Sequence, residues 1–166
     1  AIGVSDQAAS SGLHSDPVAF RDALRAQAPA LDRPATARAA FFVRPDHFAL
    51  AAESATDNRY MATGGVDRER ALREHAALVE EIGRVIPTQI FPGLPDAPDA
   101  VFPNNVFATV PGKLMIGAMR HAVRQREAQR DDIPEWFRTC HGYAVESLIA
   151  PGVIAELTGA LVPDRA

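Results

Sequence analysis

Pro98-Asp99-Ala100-Val101-Phe102-Pro103-Asn104-Asn105-Val106-Phe107 is the least ordinary segment of this chain. It sets an acid, an aromatic and two adjacent amides at the mouth of a strand. There Asp99, Phe102, Asn104 and Asn105 could face one cleft. A planar cation would find in it a counter-charge, a ring face and acceptor oxygens. Asp, Pro and Asn are also what loops use, and Asn-Asn tolerates left-handed backbone, so a plain turn is the competing reading.

Toward the C-terminus, strand-like runs from Val101 to Val110 and from Lys113 to Met119 are split by Pro111-Gly112, a hairpin signal. A polar helix is predicted from Val123 to Asp131, and a second short one starts at Pro134 and holds Trp136 and Phe137. Tyr143 to Ile149 reads as a strand, Pro151-Gly152 as a turn, and Leu157 to Val162 as the start of another strand. Toward the N-terminus, the turn-rich connection Pro92 to Asp99 leads back to a strand over Thr88 to Phe91. Before it, Asp67 is the predicted N-cap of a helix with Leu72, Ala76, Val79, Ile82 and Ile86 on one apolar face, ended by Pro87. Ala39 to Val43 is a strand stopped by Arg44-Pro45, and residues 46–67 lack a clean period and contain Thr63-Gly64-Gly65. Residues 1–38 form an arm rich in Ala, Ser, Asp and Pro, with one short helix from Pro17 through Phe20 and Leu24. The order is that of a mixed α/β chain with a repeated strand–strand–helix–strand unit. No G-x-G-x-x-G follows a strand, and no P-loop occurs.

The 166 residues carry 17 Lys+Arg against 21 Asp+Glu, a formal charge of −4, and are 47% hydrophobic and 23% charged. Those proportions suit one globular core rather than a disordered tail. No stretch approaches the ~18 apolar residues of a membrane span, and no basic-then-apolar secretory signal opens the chain. The acidic balance argues against nucleic acid as the main partner. A soluble, cytoplasmic small-molecule protein, or a piece of one, is the expectation.

Cys140-His141 has the residue types of a cysteine hydrolase, but sequence neighbours diverge on a helix or a strand and do not naturally meet. Cys140 therefore reads as a small core residue. His14, His47, His75, His121 and His141 are too scattered for a zinc spacing, so no metal and no cofactor are expected. Arg120, Arg124, Arg126 and Arg130 read as a solvated helix face, or else as an interaction surface.

Phe41 to Pro45, Glu53 to Met61, Asp99 to Phe107, Arg120 to Glu127 and Ala155 to Gly159, in that order, resemble motifs of the amidinotransferase and dimethylarginine hydrolase superfamily. Those are guanidino-group-modifying enzymes of the pentein fold. The resemblance implies part of a pentein-type αβ-propeller, with two ββαβ-like blades over residues 39–91 and 101–149 and the opening of a third. Residues 39–166 would be the N-terminal portion of that domain. In the family a cysteine thiolate attacks the guanidinium carbon, carboxylates hold the guanidinium, and a histidine serves as acid and base.

By position, Asp99 and Glu156 match the guanidinium-binding carboxylates, Phe102 the aromatic packed against the substrate, and Arg124 the arginine that binds its carboxylate. Asn104 and Asn105 stand where many members have acids, and Leu157 where glycine is commoner. A lone Glu at position 156 could equally cap or solvate a strand end. The family's Cys and His have no counterpart here, so the resemblance implies a fragment, a chain completed by a second one, or a degenerate binding module for guanidino or amino-acid ligands. Two blades and a stub would leave apolar sheet edges. The rest of the domain, a second chain or another copy would have to cover them.

Overall fold

Asp67 starts the helix that carries the chain from one strand to a parallel neighbour, and this crossover organises the first half of the fold. The computed structural model describes residues 16–26, 37–51 and 65–161. The arm over residues 1–15, the Glu53 to Met61 motif and Val162 lie outside the described residues. Thr36–Pro163 form one compact unit, and Ala1–Ala35 with Asp164–Ala166 form another. In the latter, α1 (Pro17–Ala26) starts at a proline, and the Asp16 carboxylate accepts from the Ala19 N–H at 2.8 Å.

In the larger unit, β1 (Ala40–Val43) pairs in parallel with β2 (Thr88–Phe91), connected through α2 (Arg68–Gly83). The Asp67 side chain accepts from the Arg70 N–H at 2.9 Å, as its place before the helix predicts. The apolar face of α2 is narrower than expected: Val79 is buried, Leu72 and Ile82 are half-buried, and Ala76 is exposed. His75 instead sets its ring edge-on to Phe42 of β1, with centroids 5.8 Å apart. Alternation along the strand turns Phe41 the other way, where it meets Phe91, Phe107 and Phe137 edge-on at 5.6–6.5 Å.

Those contacts join β1–β2 to a second sheet of order β3-β4-β5. β3 (Phe107–Val110) and β4 (Lys113–Ile116) form the expected antiparallel hairpin, turned at Gly112 with a left-handed φ of 78°. Two short helices, α3 (Ala122–Ala128) and α4 (Asp132–His141), cross over to β5 (Ala144–Ser147), which runs parallel to β4. One core serves both sheets: Val43 and Phe91 of the first pack with Phe107, Leu114 and Ile116 of the second, beside Ile133 and Phe137 of α4.

Two expected strands are corrected. Val101 to Val106 is a succession of tight turns, with Phe102 N–H donating to the Asp99 carbonyl at 3.0 Å and a 3-10 turn over Pro103–Asn105. Pro103 has no N–H for a strand ladder, and the ladder begins only at Phe107. Leu157 to Val162 does not open a strand either: α5 (Leu157–Ala160) is a single helical turn. A short apolar run marks burial and not conformation, and of its described residues only Leu157 is buried. Among the described residues no sheet closes on itself.

Leu114 is fully buried at the centre of β4. Leu114→Ala should lower unfolding free energy by about 2–5 kcal/mol. Urea denaturation followed by circular dichroism checks this, and a loss under about 1 kcal/mol would remove Leu114 from the core.

Candidate functional site

The tight turns from Asp99 to Asn105 end at β3, and the chain returns to the same place twice, once after β4 and once at α5. The return is close. A Cβ on Gly117 would stand 2.6 Å from the Ala155 carbonyl oxygen and 3.2 Å from that of Asn105, so only glycine fits. Ala118 and Ala155 exchange backbone hydrogen bonds at 3.1 and 2.8 Å beside it. Glu156 is thereby set at the N-terminus of α5, half-buried, with Oε1 accepting from the Arg120 N–H at 3.3 Å.

Thr158 fastens α5 to the turn. Its hydroxyl accepts from Asn104 Nδ2 at 2.9 Å and donates to Asn105 Oδ1 at 2.6 Å. The two amides expected to face a ligand thus also hold Glu156 and the turn together. Thr158 stands inside the Ala155–Gly159 motif, but its role is not written there, because its partners lie more than fifty residues away.

Behind the turn lies a buried cluster. Asp99 is 2% exposed and Arg124 of α3 is 7% exposed. Arg124 Nη2 donates to the Phe102 carbonyl at 3.1 Å and to Glu127 Oε2 at 3.0 Å. Its Nε lies 2.8 Å from Oε1 of Glu127, although that N–H is not aligned on the oxygen. Phe102 itself is 47% exposed, its ring edge-on to Phe48 at 5.9 Å. The structure therefore ties Arg124 to the Phe102 carbonyl, and ties Asn104 and Asn105 to Thr158, two residues after Glu156. The solvated arginine face is corrected: Arg124 and Arg130 are buried, while Arg120 and Arg126 are exposed.

Glu127 ends the Arg120–Glu127 motif but is not among the candidate site residues, and its pairing with Arg124 is signalled by no more than a spacing of three. Burial pushes its carboxyl up to about 7, and Asp99 adds to the rise while Arg124 and Arg130 oppose it. Arg130 grips Asp132 through two 2.7 Å hydrogen bonds and holds that carboxyl below its ordinary value. Cys140 is exposed on the last turn of α4, against the expectation of a core residue. His141 packs on Trp136 with centroids 4.4 Å apart. Among the described residues, no cluster of His, Cys, Asp and Glu could hold a metal ion, and no helix is long and apolar enough to cross a membrane.

Residues 44–166 match the sequence model of eukaryotic N,N dimethylarginine dimethylhydrolase. The chain belongs to that family. Among solved structures, the product-bound N-terminal domain of ArgZ, a cyanobacterial arginine dihydrolase, aligns with a TM-score of 0.56 and 20% identity. That match covers 70% of this chain and 41% of the ArgZ domain. Unliganded AgrE aligns at 0.56 and 21% identity, over 70% of this chain and 16% of AgrE. A dimethylarginine dimethylaminohydrolase adduct with 4-chloro-2-hydroxymethylpyridine aligns at 0.50 and 22%, over 69% of this chain and 41% of that one. These likenesses show the fold, an α/β architecture with neighbours in the pentein superfamily. The chain spans less than half the length of each. No curated protein matches it in sequence.

Glu127 gives the family member a pH signature. Its folded value lies above the ordinary 4.5, so its contribution to stability is full below 4.5 and is lost as pH rises through about 7. Asp132 acts oppositely and only below its ordinary 3.8. The Glu127 contribution should therefore fall from about pH 5 to about pH 8, opposed below about 6.5 by His75, whose imidazole burial holds below its ordinary value, and Glu127→Gln should remove that fall. Urea titrations at stepped pH decide it; an unchanged slope in the variant would assign the dependence elsewhere.

Proposed function

We propose that this chain supplies the guanidinium-binding portion of a pentein-type hydrolase or transferase acting on arginine-like compounds. One observation carries the reading: the Asn104–Thr158–Asn105 joint brings Glu156 to the turn that holds Asp99 and Phe102. Two carboxylates from distant parts of the chain then serve one small region, where a guanidinium would be neutralised and hydrogen-bonded. Phe102 offers its exposed ring face, and Asn104 and Asn105 offer amide groups at the rim. Arg124, behind the turn, is the counter-charge for the ligand's own carboxylate. ArgZ is described as an arginine dihydrolase, and AgrE has been seen bound to L-arginine, which supports the substrate class.

The chemistry in this reading is nucleophilic attack by a cysteine thiolate on the guanidinium carbon, departure of an amine, and release of the amidino group to water or an acceptor amine. In this reading Cys140 is not the nucleophile: it ends α4, and the histidine beside it in sequence sets its ring edge-on to Trp136. The nucleophile and its histidine come from outside these residues, in the remainder of a closed propeller or in a second chain. A cytoplasmic setting and association of copies belong to the same reading.

In the intact protein, Asp99→Asn should weaken arginine binding by about 1.5–3 kcal/mol, the scale of a charged hydrogen bond, as read by calorimetry. Arg124→Ala should cost more affinity for arginine than for its decarboxylated analogue agmatine; equal losses would take Arg124 out of the carboxylate role. Residues 1–166 alone should release no citrulline, urea or ammonia from guanidino compounds. Turnover that vanishes in Cys140→Ser would instead make Cys140 the nucleophile.

A further inference from the structure

Glu127 is 2% exposed, as deep as Asp99, yet it lies behind Arg124 rather than beside any open surface. A buried ion pair is weak evidence for stability, since apolar replacements of similar volume often do as well. Its use here lies in what it orients. The Arg124 Nη2 that meets Glu127 at 3.0 Å is the same nitrogen that meets the Phe102 carbonyl at 3.1 Å. That carbonyl is the pivot of the turn, because it also accepts from the Asn105 N–H at 3.4 Å, while Phe102 N–H is tied to Asp99. The path is short: carboxylate, guanidinium, carbonyl, turn.

We infer that Glu127 is a positioning residue for the guanidino site, holding the Arg124 fork against the Phe102 carbonyl and so fixing the turn that carries Asp99, Phe102 and Asn105. The inference rests on the guanidino-ligand reading above. The charged groups that face Glu127 are Arg124 and Arg130 from its own stretch of chain and Asp99 from the connection before the turn. Arg130 is in turn held by Asp132 and by the Pro92 carbonyl. As Glu127 takes up a proton, its grip on Arg124 falls from an ion pair to a neutral acceptor, and the turn loosens. Ligand affinity then falls as pH is lowered, while folding stability rises. A merely structural role would not give those opposite signs.

The test uses the intact protein and L-arginine. Wild-type affinity should rise about tenfold from about pH 5.5 to about pH 8.5, and Glu127→Gln should be flat and about tenfold weaker at the upper end. Glu127→Asp should restore part of the slope. A Glu127→Gln protein with wild-type affinity and slope overturns the inference and leaves the guanidino reading intact. Wild-type protein that binds no guanidino compound overturns that reading instead. Hydrogen exchange without ligand decides the positioning separately: the amides of residues 102, 104, 105 and 106 should exchange about tenfold faster in Glu127→Gln, with β4 and β5 unchanged. Should that variant fail to fold, Arg124→Lys keeps the charge but not the fork, and must loosen the same amides. Wild-type exchange there sinks the inference.

Discussion

Carbonyl groups in the Pro92–Phe102 connection need donors, and three arginines supply them. Pro92, Pro95 and Pro98 have no N–H, so this stretch cannot build a ladder or a regular helix for itself. Arg130 reaches the Pro92 carbonyl at 3.0 Å, Arg126 that of Asp96 at 3.3 Å, and Arg124 that of Phe102 at 3.1 Å. For the buried Arg124 and Arg130, a hydrogen bond from a charged donor is worth about 1.5–3 kcal/mol net, while the Arg126–Asp96 contact is exposed and adds little. Helix α3, only seven residues long, and Arg130 just after it thus support a connection longer than the helix itself. The helix is in turn placed by the crossover from β4 to β5, and the position of Asp99 depends on that sheet.

Local signals carried most of the architecture. The Asp67 cap, the Pro111-Gly112 hairpin and the strands at Ala40 and Thr88 are each written within a few residues. The two segments that differ from the strand expectation share a cause: Val106 and Leu157 are both buried, and a turn achieves the burial that apolar character predicts for a strand. In the candidate site, the cluster from Asp99 to Asn105 was legible because unusual residue types stand side by side. Thr158 was not, since its role exists only after a long loop closes. Glu127 was illegible for another reason. Its spacing from Arg124 is that of Glu135 and Arg138, a pair exposed on α4, so spacing alone cannot tell a buried ion pair from a surface one.

The core explains why the site can be carried by so little regular structure. Phe41 touches aromatic rings from β2, β3 and α4, and so ties the two sheets to one apolar centre. The strands are four residues each, short enough that edge-on aromatic packing does work usually left to longer ladders. Membership of the dimethylarginine dimethylhydrolase family fits this design, in which small sheets support loops that hold the polar groups.

Thr158 has a single hydroxyl hydrogen, and it points toward Asn105. The relay therefore has a direction: Asn104 must give a hydrogen and Asn105 need only receive one. Loss of the side-chain nitrogen by deamidation would affect the two neighbours unequally. At Asn105 the resulting carboxylate would still receive the threonine hydrogen, with a stronger bond. At Asn104 two acceptors would compete for one hydrogen, and the joint between the turn and α5 would open. The same asymmetry dictates which of these positions can change to an acid without unfastening Glu156.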